Sequence, residues 1–91
     1  MSQPTPEAEG EATAAPRPLT PRQRALLLLV AAGGTNASIG RALGIQPATV
    51  AGRLGLIYDW LGVPDRASAL AFAIYRGEIT PADLGRIYGD R

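Results

Sequence analysis

The chain has no cysteine and no histidine among its 91 residues. Lack of cysteine excludes disulfides and thiolate metal sites. Lack of histidine removes the commonest general base and metal ligand. An enzyme would have to rely on carboxylates or hydroxyls, and the eight acids are scattered rather than paired. There is no glycine-rich phosphate loop between a strand and a helix, because Ala32-Gly33-Gly34 follows a helical stretch. The expectation is a protein that is not an enzyme and needs neither metal nor cofactor. Long apolar runs are also missing. The longest, Ala25 to Ala32, is far below the ~20 residues of a membrane span. The chain does not open on a basic and then apolar secretory leader. A soluble, cytoplasmic, single-domain protein with no membrane association is expected. Lysine is absent as well: all nine bases are arginine. Guanidinium forks suit phosphate, but a bias toward Ala, Gly, Pro and Arg through the whole chain accounts for the same choice.

Charge is unevenly placed although the net is only +1. The first sixteen residues carry Glu7, Glu9 and Glu11 and no base. This Pro- and Glu-rich stretch, 1–18, cannot repay its ordering entropy and is expected to be a disordered tail. Arg17 to Ile79 then carries seven arginines against Asp59, Asp65 and Glu78.

Helix signals follow in close order, and no strand pattern appears. Thr20-Pro-Arg-Gln23 is a capping box with proline at the first helical position. The helix it starts should stop at Gly33-Gly34. Thr35 caps a second helix over 36–43, ended by Gly44. Pro47 opens a third, reaching Leu61 and stopping at Gly62. Asp65 caps a fourth, 66–76, closed by Gly77. A further box, Thr80-Pro-Ala-Asp83, starts a short fifth helix reaching Tyr88. The fold class is therefore all-α, with an ordered domain over 19–79 and a short additional C-terminal helix and tail over 80–91.

The second helix, the turn Gly44-Ile45-Gln46 and the third helix have helix-turn-helix spacing, in which the second element of the pair lies in the DNA major groove. The surrounding words sharpen this: Leu19-Thr-Pro-Arg-Gln-Arg24, Gly34-Thr-Asn-Ala-Ser-Ile39, Leu43-Gly-Ile-Gln-Pro-Ala-Thr-Val50, Ile57-Tyr58, Leu61-Gly-Val63, Arg66-Ala67 and Arg76-Gly77. Together they resemble the LuxR-type (GerE-like) helix-turn-helix domain. The resemblance implies a four-helix domain whose third helix reads double-stranded DNA and whose fourth makes a two-fold dimer contact, through Ala69, Phe72, Ala73 and Arg76. The chain departs from the family's usual residues at Gln23, Ala37-Ser38, Gln46, Ala51, Arg53, Gly55 and Asp59.

The DNA-contact candidates are Arg22, Arg24, Arg41, Gln46, Thr49 and Arg53. Arg22, Arg24 and Arg41 read either as phosphate clamps, which position a protein without specifying a sequence, or as ordinary solvated charges. Arg53 either contacts phosphate or guanine or lies beside Asp59 with its stem on the protein. Gln46 and Thr49 begin the third helix, where base or phosphate contacts fall, or Thr49 is a first-turn hydroxyl that satisfies a backbone amide. Gly52 and Gly55, with Ala48, Ala51 and Asp59, form a small-residue strip at i, i+3 and i+4 offsets. It reads as close approach to DNA or another helix, or as positions released from base contact.

Leu28, Leu56, Trp60 and Phe72 are apolar where the family is frequently polar. Leu28, Trp60 and Phe72 could form an interaction surface, or the fifth helix could cover the first through Leu84, Ile87 and Tyr88. The expected function is a sequence-specific transcriptional regulator, a stand-alone dimeric helix-turn-helix protein that receives any signal through a partner or its own abundance. The rival is a protein-interaction module that keeps the fold, has lost DNA readout and binds or inhibits another regulator.

Overall fold

The computed structural model describes residues 18–89, so all of the acidic leader except Pro18 lies outside the described residues. Five helices make up the described chain: α1 (Pro21–Ala31), α2 (Asn36–Leu43), α3 (Pro47–Leu61), α4 (Arg66–Tyr75) and α5 (Pro81–Tyr88). No strand is present among the described residues.

Four of the five described helix starts are fixed by a side chain that serves an amide the helix cannot. Thr20 Oγ1 accepts from Gln23 N at 3.1 Å while Thr20 N donates to Gln23 Oε1 at 2.9 Å. Thr35 and Ser38 form the same reciprocal pair. Ser38 thus does the work of the longer acid or amide usual in a capping box. Asp65 accepts from Ser68 N at 2.8 Å, which holds its carboxyl below the ordinary range. Gln46 alone gives no side-chain cap, so α3 relies on Pro47 at its first position. Among the helix stops, Gly33 adopts the left-handed φ of 93° and Gly34 does not. Gly34 is instead pressed between Leu29 O and Ile39. At the other end of the domain α4 stops at Tyr75, one residue earlier than expected, because Arg76 becomes the cap before the left-handed Gly77.

The core collects inward faces at helical spacing: Leu26, Leu27 and Val30 from α1, Ile39 from α2, and Val50, Leu54, Ile57 and Leu61 from α3. α3 is the central element, packed against α1, α2 and α4. Ala69 and Ala73 of α4 are fully buried on that core. This corrects their assignment to a dimer contact, since the inward stripe of α4 is used up within the chain. The outward ridge of α4 is Ala67, Ala71, Ile74 and Tyr75, with Tyr75 84% exposed.

The apolar run 25–30 of α1 meets α5 within the same chain. Leu28 and Leu29 border a narrow cleft with Ile87 of α5, Leu84 packs on the core, and the Tyr88 hydroxyl donates to Ala31 O. A polar clamp locks this arrangement. Asp83 is 2% exposed and accepts from Thr80 N at 2.9 Å and Arg24 Nη2 at 2.6 Å, and also from Arg86. The Thr80 amide first, and then Arg24, hold its carboxyl down at about 2 against the opposing effect of burial.

Candidate nucleic-acid interface

The geometry of the α2–turn–α3 unit depends on a missing side chain. Gly40 in α2 is buried, and a Cβ there would lie 2.5 Å from Ile45 O in the turn. Bare backbone lets the turn close over α2, with Ile45 N donating to Gly40 O at 2.9 Å. Gly44 supplies the left-handed residue, φ 73°, that reverses the chain between the two helices. α3 leaves this turn with Gln46, Pro47, Ala48 and Thr49 all exposed. Anchoring through Val50, Leu54 and Ile57 fixes which face it turns outward.

That outward face is nearly bare. Ala48, Ala51 and Gly52 are exposed, and a Cβ added at Gly52 or Gly55 would meet nothing within 4 Å. Packing inside the chain therefore does not demand glycine at either position. Arg53 is exposed on the flank of α3 that faces α1, sharing a cleft with Arg22 and Leu56. It does not pair with Asp59, which lies six residues on and on a different side of the helix. Arg22 and Arg41 are also exposed, Arg41 in the last turn of α2, where its charge suits the helix dipole. Among the described residues, none of these three guanidinium groups is held by an acid.

Arg24 differs from the other phosphate-clamp candidates, because the chain itself holds its guanidinium. Its Nε donates to Glu78 O at 2.8 Å and its Nη2 pairs with Asp83. The buried carboxylate needs that partner, because an unpaired buried charge is costly. Arg76 is likewise committed, pairing with Glu78 at 3.0 Å and lying over the Phe72 ring at 5.9 Å. Arg66 has a structural task that its sequence context did not disclose. It donates to Gly34 O at 2.7 Å and Asn36 Oδ1 at 2.9 Å, tying α4 to the loop that precedes α2.

The patch expected at Leu28, Trp60 and Phe72 is not a shared exposed surface. All three are half-buried: Leu28 beside α5, Trp60 beside Pro18, Thr20 and Gln23, and Phe72 stacked on Tyr75 at 6.0 Å. Among the described residues, the large apolar side chains that do stand in water are Leu43, Leu56, Ile74, Tyr75 and Tyr88.

Residues 17–73 match the family model of the bacterial regulatory proteins of the luxR family, more than half of the chain. The chain is 45% identical over 51 residues to YhjB of Escherichia coli (strain K12), named as an HTH-type transcriptional regulator. It is 45% identical over 56 residues to SgaR of Hyphomicrobium methylovorum, named as a transcriptional regulatory protein. These alignments cover 56% and 62% of this chain but 26% of either relative, so the chain spans about a quarter of the length of the curated relatives it matches. No solved structure matches. With the helix-turn-helix in place and its family matched across α1 to α4, the chain belongs to the luxR family of bacterial regulatory proteins.

Proposed function

We propose that this protein binds double-stranded DNA in the bacterial cytoplasm with α3 in the major groove and α4 joining two copies. The observation that carries the reading is the exposed first half of α3, presented by the Gly40 contact and flanked by the uncommitted Arg22, Arg41 and Arg53. Those arginines would grip phosphates and fix the register of α3. Gln46 and Thr49 would reach base edges at the start of the helix, and Arg53 would reach guanine or a neighbouring phosphate.

The bare strip of Ala48, Ala51, Gly52 and Gly55 offers no hydrogen bonds, so it would serve close seating of the helix. Discrimination would then rest on a few side chains and on DNA shape. Two copies joined along Ala71, Ile74 and Tyr75 would address half-sites about 10 bp apart.

The test is a gel-shift and footprinting comparison of wild type, Arg22→Ala and Arg53→Ala on genomic fragments at low salt. Binding by wild type that weakens in both variants is the expected result. No binding to any fragment would overturn the reading.

A further inference from the structure

A cleft of about 300 Å³ lies between α1 and α3, with Leu26, Leu43 and Leu56 among its apolar walls and Arg22, Gln23 and Arg53 among its polar ones. Leu56 is the most informative of these, being 67% exposed at the cleft although it is a leucine on the central helix. No acid lines the cleft, and neither arginine has an ion-pair partner among the described residues.

We propose that this cleft binds a small amphipathic anion: one carboxylate on an apolar body of roughly eight to ten carbons, as suits the ~300 Å³ lower end of ligand-site volumes. The carboxylate accepts charge-assisted hydrogen bonds from Arg22 and Arg53, whose planar forks match its two oxygens. The apolar body lies along Leu26 and Leu43 and covers Leu56, which gains most from leaving water. Charge decides the class of occupant. A neutral or cationic amphiphile would cover the same leucines and leave both guanidinium groups without a counter-charge. Arg22 and Arg53 are also two of the proposed phosphate contacts, so the bound anion and DNA exclude each other. That competition rests on the DNA-binding reading, whereas binding of the anion does not.

The experiment uses the full chain and its single tryptophan as reporter. Trp60 adjoins Thr20 and Gln23, which also line the cleft. Its fluorescence is titrated with decanoate, decanol and decyltrimethylammonium. The expected result is saturable binding of decanoate, weakened about tenfold or more by Arg53→Ala or Leu56→Asp, in keeping with loss of a charge-assisted contact. Both positions are exposed, and thermal melting checks that the variants remain folded. An equal response to all three amphiphiles, no saturation, or unchanged decanoate binding in Leu56→Asp would overturn the proposal. So would loss of ligand-free self-association in Leu56→Asp, which would make the cleft an interface between copies. Decanoate should release DNA from wild type and not from Leu56→Asp. Decanoate that binds while leaving DNA affinity unchanged would refute the competition alone.

Discussion

Adding a methyl group at three glycines should give opposite results according to what the new Cβ meets. Gly52 and Gly55 lie inside α3 with open space where a Cβ would stand. An interior helical glycine costs about 0.8–1 kcal/mol relative to alanine, so Gly52→Ala and Gly55→Ala should each stabilise the fold by about that much. The two Cβ atoms would be neighbours at i and i+3, ~5–6 Å apart, and should not interfere with each other. The double variant should then gain about 1.5–2 kcal/mol, raising the melting midpoint by roughly 6–16 °C for a domain of this size. Gly40→Ala drives its methyl to 2.5 Å from Ile45 O, where the obstacle is backbone and cannot swing away. Overpacking of this kind costs about 1–3 kcal/mol, so that variant should melt lower and open the α2–α3 turn. Urea and thermal denaturation followed by circular dichroism measure all three variants on one scale. If α3 seats in the groove as proposed, the same double variant should bind DNA more weakly, because the added methyls would stand on the bare strip. An unstabilised Gly52→Ala/Gly55→Ala protein, or a Gly40→Ala protein as stable as wild type, would refute the steric reasoning.

Other expectations follow from the ion pairs and the exposed ridge. Asp83 titrates at about 2 in the fold against an ordinary 3.8, so its contribution is present above pH ~4 and lost as pH falls toward 2. In Asp83→Asn, acid denaturation curves should be flatter across that window, and an unchanged profile would exclude Asp83 as the acid-sensitive group. Arg66→Ala removes the donors to Gly34 O and Asn36 Oδ1 and should cost about 1.5–3 kcal/mol in chemical denaturation, the range of hydrogen bonds to charged groups. Tyr75→Arg places a charge on the α4 ridge and should shift sedimentation toward monomer without lowering the melting temperature. A dimer that persists would place the interface elsewhere.

Much of the fold is legible in the sequence because its signals are local. Thr20, Thr35, Asp65 and Thr80 announce helix starts through hydroxyls or carboxylates a few residues from the amides they serve, and Gly33, Gly44, Gly62 and Gly77 sit at the stops with positive φ. The commitments of individual arginines are not legible, because their partners lie far along the chain. Arg24 meets Glu78 and Asp83 more than fifty residues away, and Arg66 reaches back about thirty to Gly34 and Asn36. Nothing in the local pattern separates these from Arg22 and Arg53. Likewise Ala69 and Ala73 look like small residues suited to close helix contact. Only the packing of α4 shows that the contact is with the chain's own core. Gly40 could be flagged as a helix-breaking oddity in α2, but its role appears only when Ile45 O is seen against it.

The central claim, that α3 seats in the groove with three arginines on phosphate, is tested most directly by the salt dependence of DNA affinity. Each neutralised phosphate adds about −0.9 to the slope of log K against log salt, so three contacts predict about −2.7 per protomer and roughly −5 for a dimer. Fluorescence anisotropy on a labelled duplex should return a slope near that value, reduced by about 1 per protomer in Arg53→Ala. A slope unchanged by Arg53→Ala, or no binding even at low salt, would contradict the account.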